Sequence, residues 1–225
     1  MRIPQTSLIA RFLPIVFLFA LFCVAWADMF FPLPGIPAFS TAWFALSATK
    51  NAFRLCVILA AMKRWKGFES FSLGTKSFLP SASDLLSALV ITSAAILVAL
   101  GLAGLSLLVG LRNPLDFSSG GLSMSSWRIL CMIMASLGIG YSEELFFRYF
   151  APTALERAGF PALAARLFAI VFFGLSHGSQ GLIGMIQAAL LAFVFFFFKS
   201  KGKSLHALAL GHGLYDFILL LALMR

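Results

Sequence analysis

The stretch "LLSALVITSAAILVALGLAGL", Leu85 to Leu105, contains no charged residue and no proline. A helix needs about 20 mostly apolar residues, at about 1.5 Å each, to cross the hydrocarbon of a bilayer. This run reaches that length by itself, and in lipid a lone segment satisfies its own backbone groups only as a helix. The rest of the chain has the same character. Of 225 residues 61% are hydrophobic and 11% charged, with a mean hydropathy of +0.98. Soluble domains carry roughly a quarter of charged residues. The composition therefore leaves no room for a sizeable soluble domain and predicts an all-α polytopic transmembrane helical bundle.

Seven apolar segments follow, at about 12–31, 42–62, 83–111, 127–157, 161–180, 182–198 and 204–224. Gly101 and Gly104 mark a candidate bend in the long third segment. Lys50, Asn51 and Arg54 interrupt the second, which reads as a half-buried helix or as a span with its polar face turned into the bundle. The first imitates a secretory signal, with Arg2 and Arg11 ahead of an apolar run and Ala25-Trp26-Ala27 as a small-x-small site. Pro14 and the bulky "DMFFPLPGIPAF" that follows favour an uncleaved span.

The net charge of +9 belongs with loops at one membrane face rather than with nucleic acid. With alternating spans, Lys63, Arg64, Lys66, Lys76, Arg157, Arg166, Lys199, Lys201 and Lys203 join Arg2 and Arg11 on one side. Only Arg112, Arg128 and Arg225 fall on the other. The expected placement is a cell membrane, N-terminus cytoplasmic and C-terminus outside. Between spans, "KRWKGFESFSLGTK" from Lys63 reads as an interfacial segment, and "RNPLDFSSGGLSMSS" from Arg112 as the longest polar connection. "KSFLPSASD" leads into a helix that Ser81 or Ser83 caps. Cys23, Cys56 and Cys131 lie apart in apolar segments and read as small buried hydrophobes, not as a disulfide framework or a zinc knuckle.

Against this background the stretch "GYSEELFFRYF", Gly140 to Phe150, stands out. Ionisable groups inside a bilayer are costly and call for a partner or a function. Glu144 and Arg148 are four apart with the acid first, the better orientation for a pair along one helix face. Glu143 is rotated about 100° away and is left to face elsewhere. His177 in "FFGLSHGSQG" and His212 with Asp216 in "LGHGLYDF" supply further polar positions on later helices. Rise counted from turns near Gly159-Phe160-Pro161 and Lys201 puts Glu143, His177, His212 and Asp216 within about 10 Å of one depth. Gly138, Gly140, Gly174, Gly178, Gly211 and Gly213 flank these positions and allow close helix approach.

A carboxylate without a cationic partner in low dielectric suits a general base, and a histidine beside it can position water. A second histidine with a carboxyl group can stabilise an oxyanion or fix a tautomer. These are parts for water attack on an amide. There is no Gly-x-Ser-x-Gly elbow, and no cysteine has a basic neighbour. His206 reads as interfacial, and Lys50 with Arg54 as a charged helix face that could also meet a substrate carboxylate or a phospholipid headgroup.

Glu143-Glu144-x-x-x-Arg148, Phe173-x-x-x-His177 and His212-x-x-x-Asp216, in that order on apolar segments, resemble the three motifs of the CAAX-processing and bacteriocin-processing (CPBP, or Abi) family of intramembrane proteases. The resemblance covers about Leu122 to Met224, so residues 122–225 read as the catalytic core and 1–121 as helices without a recognised motif. It implies a glutamate-activated water: Glu143 as general base, His177 as its partner, His212 and Asp216 at the oxyanion, Glu144 and Arg148 in support. The prenyl-protein branch of the family typically has Asn where this chain has Asp216. The implied substrate is a membrane-anchored or lipidated protein, hydrolysed at a peptide bond within the lipid bilayer. The family has also been proposed to bind zinc, and Glu143, His177, His212 and Asp216 are legitimate ligand types. The reading nevertheless assigns no cofactor. Competing readings are a catalytically silent immunity or scaffold protein and a proton-coupled transporter using Glu143 and the histidines as a relay.

Overall fold

The computed structural model describes residues 8–26, 36–64, 79–110 and 125–223. Among the described residues every regular element is helical. In chain order they are α1 (Leu8–Ala25), α2 (Thr41–Arg64), α3 (Ala82–Leu108), α4 (Ser126–Glu144), α5 (Ala151–Arg157), α6 (Ala162–Ser176), α7 (Gly181–Ser200) and α8 (Leu205–Leu223). A π-helical stretch, Leu145–Phe150, joins α4 to α5, so 126–157 forms one long span. Five helical segments are long and apolar enough to cross a membrane, and α1 and α6 contribute two shorter apolar ones. The protein is a multi-pass membrane protein, and about seven spans fit it. The basic-aromatic segment 65–78, the connection 111–124, and Arg2 and Arg225 of the charge count lie outside the described residues.

Local chemistry explains the element ends. Ser81 caps α3 with a full capping box: its Oγ accepts from Asp84 N–H, and Asp84 Oδ2 accepts from Ser81 N–H at 2.8 Å. Ser125 caps α4 the same way, accepting from Arg128 N–H at 3.2 Å. Helix α3 continues unbroken through Gly101 and Gly104, where a bend was a candidate. The π stretch precedes Pro152, which has no N–H and whose ring crowds the carbonyl four residues back. The backbone widens there, and Ala151 N–H reaches five residues back to Phe146 O. Helix α6 stops at Ser176, and the short 3₁₀ turn Gly178–Gln180 leads directly into α7.

The main interfaces are α2 on α4, α4 on α8 and α3 on α8, with α6 against α7 and α1 against α2 and α5. Lipid is as apolar as leucine, so association rests on close packing and interhelical hydrogen bonds rather than on exclusion of water. Leu86, Leu97 and Leu100 accordingly point outward from α3, while Ile91 and Ala95 are buried. Cys23 and Cys56 also face outward, and only Cys131 is buried as the sequence led us to expect; all three are free thiols. On the inner side of α1, Phe22 and Trp26 enter an aromatic cluster with Phe146, Phe147 and Phe172. The first segment thus packs into the bundle core.

Helix α2 resolves its two readings in favour of a span with an inward polar face. Arg54 Nε donates to Ala25 O at 2.9 Å, at the C-terminal carbonyls of α1, where a cation also complements the helix dipole. Arg54 Nη1 and Ser142 Oγ both donate to Asn51 Oδ1, at 3.0 and 2.8 Å. One amide oxygen therefore ties α1, α2 and the residue just before Glu143.

Candidate active site

The two helices that carry most of the site touch through their backbones. A Cβ added to Gly140 would lie 2.3 Å from Ala209 O, and one added to Gly213 would lie 2.9 Å from Ser136 O. Neither position has room for a side chain. That contact between α4 and α8 lets a glutamate on one helix meet a histidine on the other.

Glu144 sits at the end of α4, fully buried, and uses both carboxylate oxygens. Its Oε2 lies 3.2 Å from Arg148 Nε, and its Oε1 accepts a hydrogen bond from His212 Nδ1 at 2.9 Å. The Arg148 contact is an ion pair out of line for a hydrogen bond, and Arg148 Nε, Nη1 and Nη2 have no hydrogen-bond partner among the described residues. Aromatic faces surround the cation instead: its guanidinium carbon is 4.6 Å from the Phe173 ring centroid, 5.3 Å from Phe196 and 5.6 Å from Phe195. A desolvated cation-π contact is worth about 2 kcal/mol or more. The expected Glu144–Arg148 pair is present, and Glu144 has a second partner that helix spacing alone could not reveal.

With Nδ1 directed at Glu144, the other imidazole nitrogen of His212 faces two more carboxylates. Nε2 lies 3.7 Å from Asp216 Oδ2 and 3.9 Å from Glu143 Oε2, both too long for a direct hydrogen bond. Glu143 Oε2 is buried and has no hydrogen-bond partner among the described residues. The ring of His212 stacks on Phe195 at 5.1 Å between centroids and 25° between planes. The cluster is most open at Asp216, whose side chain is 20% exposed against 11% for Glu143 and 6% for His212. Four of the residues singled out in the sequence, Glu143, Glu144, His212 and Asp216, thus gather around one imidazole, with Arg148 behind Glu144.

His177 stands one step away. It is the C-cap of α6, and its Nδ1 donates to Phe173 O at 2.9 Å, with Ser176 Oγ at 3.3 Å. Its ring packs on Phe173 at 4.7 Å, and Phe173 in turn lies 6.2 Å from the ring of His212. No hydrogen bond or ion pair joins His177 to Glu143 among the described residues, so the imidazole nearest Glu143 is that of His212. Phe173 is the common wall of the two histidines and Arg148. His206, read as interfacial, pairs with Tyr141 at 2.8 Å between its Nδ1 and the phenol oxygen.

Among the described residues no group of three or more His, Cys, Asp or Glu side chains is arranged to hold an ion. The Nδ1 bonds of His212 to Glu144 and of His177 to a carbonyl leave each Nε2 uncommitted by them.

Three contributors, Phe195, Phe196 and Ser142, escaped the sequence reading, and Asn51 entered it only as a polar interruption of its helix. Phe195 and Phe196 lie in a run of four phenylalanines that registers only as membrane-spanning apolarity. Asn51 and Ser142 were legible at most as polar residues within apolar helices. Their roles depend on which neighbour each helix face meets.

Comparison with known families bears on the same segment. Residues 125–218 match the family model "Type II CAAX prenyl endopeptidase Rce1-like". This stretch contains all three motif regions. Over 125–218 the chain is similar to that family. The Rce1-like segment runs from the cap of α4 into α8 and so includes every residue of the cluster around His212. The match is consistent with the CPBP resemblance and supports a protease of the CAAX type. No curated protein matches the chain. No solved structure matches it either.

Proposed function

We propose that the protein hydrolyses a peptide bond of a membrane-anchored protein, within the bilayer, with a water activated by Glu143. The observation that carries this reading is the uncommitted buried Oε2 of Glu143 opposite His212 Nε2, in a cluster where Glu144 is fully engaged. Glu143 takes a proton from water as its oxygen attacks the scissile carbonyl carbon. Glu144, accepting from His212 Nδ1, fixes the imidazole so that protonated Nε2 can donate to the oxyanion that forms. Asp216 lies 3.7 Å from the same nitrogen as a nearby counter-charge. As the tetrahedral intermediate collapses, Glu143 passes its proton to the leaving nitrogen, the C–N bond breaks, and a carboxylic acid and an amine result. His177 borders the site from the Phe173 side, within reach of substrate rather than of Glu143. No step uses a metal.

The family description makes a prenylated C-terminal peptide the first substrate to try. Asp216 stands where the prenyl-protein branch typically has Asn, so an unprenylated anchor peptide belongs in the same assay. The motif region is proposed to be the catalytic core, in a cell membrane with the N-terminus cytoplasmic, following the loop charges. The test is mass-spectrometric detection of cleavage by purified protein in liposomes, for both peptides, with Glu143→Gln and chelator-treated protein alongside. Cleavage by wild type that survives chelator and falls by about 10²-fold or more in Glu143→Gln is expected. Loss with chelator and recovery with zinc would overturn the metal-free mechanism. Proton flux without cleavage would overturn the protease reading itself.

A further inference from the structure

Helix α7 holds Arg148 from two directions, and only one involves the guanidinium. Phe195 and Phe196 lie against the cation. One turn further along the same helix, Lys199 Nζ donates a hydrogen bond to the backbone carbonyl of Arg148. The ammonium also lies 4.1 Å from the ring centroid of Tyr149. A lysine in the last turn of a membrane helix ordinarily extends its head to water or to the headgroups. This one is half-buried and turned onto the backbone of another helix.

Its target is the carbonyl that the sequence deprives of its usual donor. In an uninterrupted α-helix, Arg148 O would accept from the N–H of residue 152. That residue is proline, which has no N–H and crowds the same carbonyl. The π stretch is the backbone's response, and Lys199 supplies a donor where position 152 has none. A carbonyl left without a partner in lipid costs several kcal/mol, enough to drive a local rearrangement. The rearrangement would change the angle at which Arg148 leaves the helix, and with it the ion pair to Glu144 and the orientation of His212.

We propose that Lys199 is a positioning residue for the site: by capping the Arg148 carbonyl that Pro152 strips of its α-helical donor, it fixes the π stretch that aims Arg148 at Glu144. This rests on the reading of Glu143, Glu144 and His212 as the hydrolytic machinery. The coupling is specific enough to test, because replacing Pro152 restores an N–H to the ladder and makes the lysine cap redundant.

The experiment uses the full chain, purified in detergent, as wild type, Lys199→Met, Lys199→Arg, Pro152→Ala and the Pro152→Ala/Lys199→Met double variant. Melting temperature is read on all five, and kcat and KM on the peptide that wild type cleaves. Lys199→Met is expected to lower kcat about tenfold with little change in KM, the signature of a displaced site rather than lost binding. Lys199→Arg, which keeps a cationic donor, is expected to recover most of that loss. In the Pro152→Ala background the same Lys199→Met change is expected to cost less than about threefold, and the melting temperatures to be non-additive in the same sense. An equal loss in both backgrounds, or a change confined to KM, would overturn the proposal. If wild type cleaves nothing, the hydrolytic reading fails. The melting temperatures still decide the cap: additive shifts overturn it and non-additive shifts sustain it.

Discussion

Arg54 and Arg148 are both buried within membrane-spanning helices, and the protein holds them in different ways. Arg54 donates to a carbonyl at the end of α1 and to the Asn51 amide, with its guanidinium carbon 4.9 Å from the Trp26 ring. Those bonds are directional and tie α2 to α1, and the same Asn51 oxygen also accepts from Ser142 on α4. Arg148 has no hydrogen bond from its guanidinium among the described residues; an ion pair to Glu144 and three aromatic faces compensate it. The first arrangement pins a geometry. The second leaves Glu144 free to direct its other oxygen to His212. A cation held by rings can thus act as a counter-charge without using up the acceptor capacity of its carboxylate, which a forked, two-bond guanidinium–carboxylate pair would consume.

Four substitutions break or sharpen that contrast. Arg148→Met is expected to have the largest effect, about 3–5 kcal/mol of stability, because it strands a buried carboxylate. Thermal denaturation in detergent would read it, and a melting temperature near that of wild type would count against the ion pair. Glu144→Gln keeps the shape but weakens the hold on His212, and cleavage should fall by about 10²-fold or more, as when the acid that orients a catalytic histidine is neutralised. Activity within a few-fold of wild type would deny Glu144 any part beyond pairing Arg148. Arg54→Gln should cost about 1.5–3 kcal/mol through lost hydrogen bonds from a charged donor, with cleavage per folded molecule retained. A large loss of activity at unchanged stability would erase the distinction between the two arginines. Phe196→Leu removes one of three rings and should cost about 0.5–2 kcal/mol, the smallest effect, visible only as a small drop in melting temperature.

The helices were legible in the sequence because lipid imposes a length and a polarity that a run such as Leu85 to Leu105 either meets or fails. The turn at Gly159-Phe160-Pro161 and the cap at Ser81 were legible too, since both follow from local backbone chemistry. Motif spacing brought Glu144 to Arg148 and His212 to Asp216, because four residues are one helical turn. Counting rise gave depth but not rotation. His177 shares the depth of Glu143, yet α6 ends at Ser176 and its ring is held on Phe173 instead. The bond from His212 to Glu144 and the lysine cap on Arg148 lay beyond the sequence, because each depends on how two helices distant in sequence are turned toward each other. Pro152 was the available clue to the π stretch.

The pairing of Glu144 with Arg148 also bears on how the chain enters the membrane. Helix α4 leaves the ribosome before α8, so these two charges must be placed in lipid before His212 exists to meet them. Being one turn apart on the same segment, they can cross as a self-neutralised unit that needs no other helix. Glu143 has no such companion on its own helix and reaches its final surroundings only when α8 arrives. Synthesis of α8 is then the event that brings His212 to the acids, so a chain interrupted before Leu205 would carry Glu143, Glu144 and Arg148 without the imidazole they surround.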